Sequence, residues 1–217
     1  MDKIFQKKTT EAERQAWLER QKKDCFDENT WLQEYCCVAI DEATAFLPYD
    51  LIFGCERKDL LVTDLSTLTG NLYVGMDIGR KKDLTVIWIL EKLGHVLYTR
   101  KVIVLEKTPF HQQEEILFSV LKHKTLRRCC IDATGLGMQL AESAKRCFGK
   151  YRVEEITFTA KVKEELAYTL RPHFEEKSVF IPADSTIRED LHSVMRLTSL
   201  SGNLRFDVAS TDAKGHA

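Results

Sequence analysis

Two acids stand where acids are expensive. Asp77 lies in the run Leu72-Tyr-Val-Gly-Met-Asp-Ile78, which is otherwise apolar, and Asp132 ends the run Cys129-Cys-Ile-Asp. A carboxylate within an apolar strand costs several kcal/mol unless something pairs with it, and a bound cation is one such partner. If the strands carrying these residues lie side by side, the two carboxylates face each other, and like charges at that range repel unless a cation intervenes. Hard oxygen ligands favour Mg2+ or Mn2+. Two such ions about 3.5–4 Å apart activate a water and stabilise the leaving oxygen of a phosphodiester, so the chemistry indicated is metal-dependent hydrolysis of nucleic acid.

Each acid also has a plainer reading. Asp77 is placed to cap backbone amides near Gly79, and Asp132 to N-cap the helix that follows it. Arg80, Lys81 and Lys82 are well placed to meet DNA phosphates, although a charge run of this kind also suits a solvated loop, and Asp83 reads as the end of that turn. Gly135 and Gly137 satisfy neither GxGxxG nor GxxxxGK[ST]. They read instead as a tight entry into a helix whose N-terminal dipole lies close to Asp132 or to a DNA phosphate. The six histidines lack HxxxH or HExxH spacing, which argues against zinc.

The elements that must position these acids follow from periodicity. Leu72–Ile78, Leu84–Leu90 and His95–Glu106 read as three strands, with Lys92-Leu93-Gly94 as the turn between the last two, and short turns make them antiparallel. Pro109 opens a helix through about His123, Arg127–Asp132 is a fourth strand, and a second helix runs through Phe148. Val153–Thr157 is then a fifth strand, parallel to the fourth because a helix joins them. Helices are expected over 161–176 and 185–199, with short edge strands at Val179–Ile181 and Leu204–Val208. This is the element order of an α/β, ribonuclease-H-like mixed sheet: three antiparallel strands followed by parallel ones, flanked by helices. It requires the fourth strand to pair beside the first, which brings Asp77 and Asp132 together. Cys129 and Cys130 both read as core.

Upstream, Thr10 and Glu13 have capping-box spacing ahead of Trp17 and Leu18, and Trp31, Leu32, Tyr35 and Cys36 share a helical face. Nothing there has a pattern that packs alone. The expected organisation is a helical arm and a polar linker (Glu56 to Gly70) over 1–70 and a catalytic domain over 71–217.

Bulk composition excludes several classes. With 32 basic and 33 acidic residues, the formal charge of −1 gives no global pull toward nucleic acid, so such binding must come from local patches. The seven cysteines include no CxxC and follow no export signal, which points to reduced thiols in a cytosol. No apolar run approaches the ~18 residues of a membrane span.

Several stretches together resemble a known family. Tyr73-Val-Gly-Met-Asp-Ile-Gly-Arg-Lys-Lys-Asp-Leu-Thr-Val, Cys130-Ile-Asp-Ala-Thr-Gly-Leu-Gly, Lys163-Glu-Glu-Leu, Ile181-Pro, Arg188-Glu-Asp-Leu and Lys214-Gly-His-Ala are similar to the C-terminal nuclease part of the large terminase subunit of tailed phages, in its Mu-like prophage branch. Trp31-Leu-Gln-Glu-Tyr-Cys-Cys through Phe46-Leu-Pro resembles the segment joining that family's ATPase to its nuclease. The resemblance implies an endonuclease that cuts concatemeric double-stranded phage DNA during packaging, in the cytoplasm of a bacterial host. It also implies a terminase ATPase, a small terminase subunit and a portal as partners, and Asp77 and Asp132 as metal ligands for two Mg2+ or Mn2+ ions. Two departures matter. The Walker motifs of the family's ATPase are missing, and its third acid, which follows Gly-His-Ala, has no counterpart before Ala217. The expectation is either that the chain stops short of this ligand, impairing activity, or that Asp212 substitutes as the third catalytic and metal-binding acid, with Asp207 a weaker candidate. Two alternatives remain: a DNA-docking or assembly module that kept the fold without the chemistry, and an actin-like ATP-binding domain, which Gly75-Met-Asp-Ile-Gly also resembles.

Overall fold

The computed structural model describes residues 11, 15, 17, 19, 20, 45–79, 84–135, 137–198 and 204–208. Contacts divide the chain into two units, Met1–Thr44 and Ala45–Ala217. In the first, Glu11, Gln15, Trp17, Glu19 and Arg20 are helical. The division falls well before the boundary expected near residue 70.

In chain order the second unit contains α1 (Tyr49–Cys55), β1 (Glu56–Arg57), β2 (Asn71–Asp77), β3 (Thr85–Leu93), β4 (Val96–Leu105) and α2 (Phe110–Leu121). There follow β5 (Leu126–Asp132), α3 (Gly137–Phe148), β6 (Val153–Ile156), α4 (Ala160–Glu175), β7 (Val179–Pro182), α5 (Ser185–His192), β8 (Val194–Thr198) and β9 (Leu204–Val208). Seven strands form one mixed sheet in the order β1-β7-β4-β3-β2-β5-β6. The pairs β2–β3 and β3–β4 are antiparallel, whereas β2–β5, β5–β6, β4–β7 and β1–β7 are parallel. Gly94, at φ +62°, turns the chain between β3 and β4 in a conformation that side chains rarely adopt. Strand β3 therefore runs through Leu93, and the tight turn sits one step later than the sequence places it.

Alternation decides which side of the sheet is sealed. Leu72, Val74 and Met76 of β2, Ile87 and Ile89 of β3, and Cys129 and Ile131 of β5 all point to one face, where Leu117 and Leu121 of α2 and Leu140, Ala141 and Ala144 of α3 cover them. A Phe118–Phe148 edge contact, with centroids 5.1 Å apart, joins the ends of these two helices. Burying one Leu or Ile side chain is worth about 1.5–3 kcal/mol, so this face holds the sheet together. The other face is covered over only part of its width.

The cover on that other side comes partly from the segment read as an arm and linker. Phe46, Leu47, Ile52 and Cys55 are buried in a second cluster with Phe174 of α4, Val179 and Ile181 of β7, and Phe206 of β9. Leu60 is buried as well, and Leu68 is buried in the core of the sealed face. Residues 45–70 are thus built into the compact unit, because β7 and α4 offer apolar surface that only the folded chain assembles. Three expectations about strands and helices are corrected. Val179–Ile181 is not an edge strand but lies between β1 and β4. The helix expected over 185–199 stops at His192, and Val194–Thr198 turns into β8. Leu204–Val208 leaves the main sheet and pairs antiparallel with β8, Val194 opposite Val208.

Candidate active site

The parallel pairing of β2 with β5 positions the two acids. Gly75 lies opposite Cys130 and Met76 opposite Ile131, so Asp77 and Asp132 each stand one residue beyond the last registered pair. Neighbouring strands are about 4.8 Å apart, which makes these acids near neighbours at the carboxyl ends of adjacent strands. Helix α2 and its connections make this possible by returning the chain to the start of the sheet, so that β5 runs the same way as β2.

Asp77 is exposed at the last position of β2. The desolvation cost anticipated from its apolar neighbours therefore does not arise: Leu72, Val74 and Met76 face the sealed core, whereas Asp77 shares the open face with Gly75. Asp132 is half-buried, and its Oδ1 accepts a hydrogen bond from the Thr134 backbone N–H at 2.9 Å. Among the described residues its Oδ2 accepts no hydrogen bond. The capping reading of Asp132 is thus partly correct, with one oxygen engaged in a tight local turn.

Both acids line a cleft of about 230 Å3 together with Gly75, Val86, Trp88, Cys130, Ile156 and Phe158. Gly75 leaves its floor open, since a Cβ built there meets no atom within 4 Å. A glycine inside a central strand forfeits packing, and such a position commonly marks the close approach of a ligand. Trp88 forms one wall and is held by an Nε1–H donation to Thr99 Oγ1 at 3.1 Å. Cys130 corrects the reading of both cysteines as core. Cys129 is fully buried, and burial pushes its thiol up to about 12, whereas Cys130 is half-buried and lines the cleft. The Cys130 thiol is also raised, first by burial and then by the Glu154 carboxylate.

Gly135 and Gly137 perform the tight entry anticipated for them. Gly135 has φ +64°. A Cβ on Gly137 would overlap the Asp132 carbonyl oxygen, so only glycine lets the first turn of α3 close against β5. Gly75, Trp88, Phe158 and the Thr134 amide escaped the sequence reading. The period-two alternation that places Gly75 beside Asp77, and Cys130 beside Asp132, was the available signal.

Arg80, Lys81, Lys82 and Asp83, expected to meet DNA or to end the turn, and Asp212, expected as the third ligand, lie outside the described residues. The backbone of Asp207 is in β9 opposite Met195. Among the described residues no group of three His, Cys, Asp or Glu side chains converges on one point. The donor set that does converge, two carboxylates opening onto a cleft, fits a hard divalent cation with further ligands from outside that set. Among the described residues no helix is long and apolar enough to cross a membrane.

Known proteins resemble this chain. The family model for the terminase RNaseH-like domain matches residues 74–217. The probable terminase large subunit gp28 of Escherichia phage Mu is 29% identical over 140 residues, covering 63% of this chain and 25% of that protein. The Mu-like prophage FluMu protein gp28 of Haemophilus influenzae is 25% identical over 209 residues, covering 79% and 41%. The chain thus spans well under half the length of these curated relatives. Among solved structures, the large terminase nuclease of thermophilic phage G20c with bound magnesium superposes at TM-score 0.54 with 19% identity, covering 76% of this chain and 89% of that one. The nuclease domain of the Thermus phage P74-26 large terminase gives TM-score 0.57 at 17% identity, covering 79% and 87%. At such identities these structures speak to the fold, which is that of a terminase nuclease domain.

Proposed function

This chain belongs to the terminase RNaseH-like domain family, and from that premise we propose that it is a metal-dependent endonuclease acting on double-stranded phage DNA during packaging. The observation that carries this reading is the convergence of Asp77 and Asp132 at the carboxyl ends of two adjacent parallel strands, in one cleft. In open α/β sheets, ligands bind outside those carboxyl ends.

Asp77 and Asp132 would hold Mg2+ or Mn2+, with Asp212 as the proposed further acid. When bound, the ions supply an activated water and charge stabilisation for the leaving oxygen. The chain's own residues do the positioning. The Thr134 amide holds Asp132 Oδ1, and Oδ2 is left without a hydrogen bond among the described residues. Gly137 keeps α3 seated against the Asp132 backbone. Gly75 leaves room above the sheet for the substrate, and Trp88 and Phe158 line the walls of the cleft. Arg80, Lys81 and Lys82, three to five residues beyond Asp77 in sequence, are proposed to hold flanking phosphates. As part of a packaging machine the domain would work with a terminase ATPase, a small subunit and a portal, in the host cytoplasm.

A second reading rests on the presence of only two converging acids among the described residues: a DNA-docking module that kept the fold without the chemistry. Plasmid nicking in Mn2+ separates the two. Wild-type protein should nick supercoiled DNA while Asp77→Ala and Asp132→Ala do not. Equal cleavage by all three proteins would sink the nuclease reading, and salt-dependent binding without cleavage in any divalent metal would favour docking.

A further inference from the structure

The end of the sheet opposite the acids has a charge distribution that the proposed chemistry leaves unexplained. Residues 122–128 (Lys-His-Lys-Thr-Leu-Arg-Arg) and 145–152 (Lys-Arg-Cys-Phe-Gly-Lys-Tyr-Arg) contain no acid and together hold eight of the 32 Lys and Arg residues, in a chain of net charge −1. The fold brings the two segments together. Helices α2 and α3 both run back toward the starts of β5 and β6, their ends joined by the Phe118–Phe148 contact. The Cys129 N–H donates to the Arg152 carbonyl at 2.7 Å, and Arg128 Nη1 donates to the Tyr151 carbonyl at 3.2 Å.

Pairing accounts for part of this charge. Arg128 bonds Glu154 and Lys145 bonds Glu155, at 2.5 and 2.6 Å. Lys145 and Arg146 also face the negative end of α3, an interaction equivalent to about half a charge per helix. Lys122, Lys124, Arg146 and Arg152 form no ion pair among the described residues, and Lys150 lies over the ring of Tyr151, itself 80% exposed. The excess is positive and turned toward solvent.

The two ion pairs also prepare the route between this patch and the cleft. Strand β6 is the edge of the sheet, and its acids Glu154 and Glu155 would repel a phosphate chain running along it. Both are neutralised by the patch's own Arg128 and Lys145. Strand β5 has seven residues, so the patch stands about 20 Å from Asp132 at ~3.3 Å per residue. That is about six base pairs of duplex at 3.4 Å each. Duplex DNA is stiff on this scale and reaches both points by lying straight along the edge.

We infer that the basic patch formed by Lys122, Lys124, Arg127, Arg146, Lys150 and Arg152 is a second DNA-contact site, which grips phosphates of the duplex flank about six base pairs from the scissile bond along the β6 edge. This rests on the nuclease reading above and adds to it a direction for the bound duplex.

The test is metal-free binding of labelled duplexes by fluorescence anisotropy across a salt series, using the full chain. A duplex three helical turns long should bind the triple variant Lys122→Glu, Lys124→Glu, Lys150→Glu at least tenfold more weakly than wild type. Its slope of log affinity against log salt should be lower by roughly 2–3, one unit per lost phosphate contact. The neutral variant with glutamine at the same three positions should fall between, and unchanged circular dichroism shows that each variant is folded. Equal affinity and slope for the long duplex would overturn the proposal, as would capture of a polyglutamate peptide by the wild-type patch without any loss of DNA affinity in the variant. Either result leaves plasmid nicking by wild type against Asp77→Ala to judge the nuclease reading separately.

Discussion

Gly137 lies directly against the backbone carbonyl of Asp132, so close that a Cβ on the glycine would occupy the space of the carbonyl oxygen. The obstruction is backbone rather than a flexible side-chain end. Gly137→Ala must therefore push α3 away from β5 or shift Asp132 itself. We expect a loss of about 2 kcal/mol, or about 4–8 °C in melting temperature for a domain of this size. Nicking per folded molecule should fall as well. Unchanged activity would mean that Asp132 tolerates displacement.

Asp132 has a local role through Thr134 and a proposed role toward metal, and the two can be separated. Asp132→Asn keeps an oxygen for the Thr134 N–H and loses the charge, so stability should hold while cleavage disappears. Asp132→Ala should lose both, with about 1 kcal/mol of stability going with the hydrogen bond. Mn2+ at a hundred times its Kd should raise wild-type stability by about 2.7 kcal/mol and leave both variants unmoved. Metal stabilisation of Asp132→Ala equal to that of wild type would remove Asp132 from the ligand set.

Glu91 tests the scaffold apart from the site. It is 3% exposed, and its two oxygens accept from the Gly70 N–H at 2.7 Å and Arg100 Nε at 2.8 Å. Gly70 has no room for a side chain because the Glu91 and Leu93 side chains and the Lys92 carbonyl crowd it. Glu91→Ala strands a partly buried guanidinium and an amide, at about 3 kcal/mol. Chemical denaturation should show that loss, while nicking per folded molecule stays near wild type.

Cys129 gives stability an alkaline limit. Its thiol ordinarily titrates at 9.0 and is pushed up to about 12 in the fold by burial, with Cys130 adding to the shift. Because the folded value is the higher one, the unfolded chain loses its proton first as pH rises. The stability contribution is complete below pH 9 and is lost between about 9 and 12, at up to about 1.4 kcal/mol per pH unit. Urea midpoints measured across that window should fall less steeply in Cys129→Ala, whatever that variant loses in packing at neutral pH. At neutral pH the exposed Cys147 should be alkylated well before Cys129.

Much of the fold was legible in the residues. Alternation over Leu72–Ile78 and Leu84–Leu90, the Gly94 turn, and helix-spaced apolar residues after Pro109 and after Gly137 are local signals, and the structure places β2 to β6 close to where they indicate. The element order, taken as ribonuclease-H-like, requires β5 to pair beside β2, and the family motifs support the same arrangement, which is why Asp77 and Asp132 could be coupled across 55 residues of sequence.

Local signals failed wherever the deciding partner is distant in the chain. Val194–Thr198 continues a helical pattern in sequence, yet it forms β8 because β9 supplies its hydrogen bonds. Leu47, Ile52 and Cys55 read in sequence as part of an arm that cannot pack alone and must dock on something, and only the fold shows that β7 and α4 assemble the surface that buries them. The same limit applies to the cleft. Alternation fixes that Cys129 and Cys130, or Met76 and Asp77, point to opposite faces. It does not say which face the helices seal, since that depends on where α2 and α3 pack after the sheet has formed. Sequence determined that two acids lie in or at the end of strands that a ribonuclease-H-like order makes neighbours. Tertiary structure decided that both stand at strand ends on the open side of the sheet, above a glycine floor and within reach of solvent.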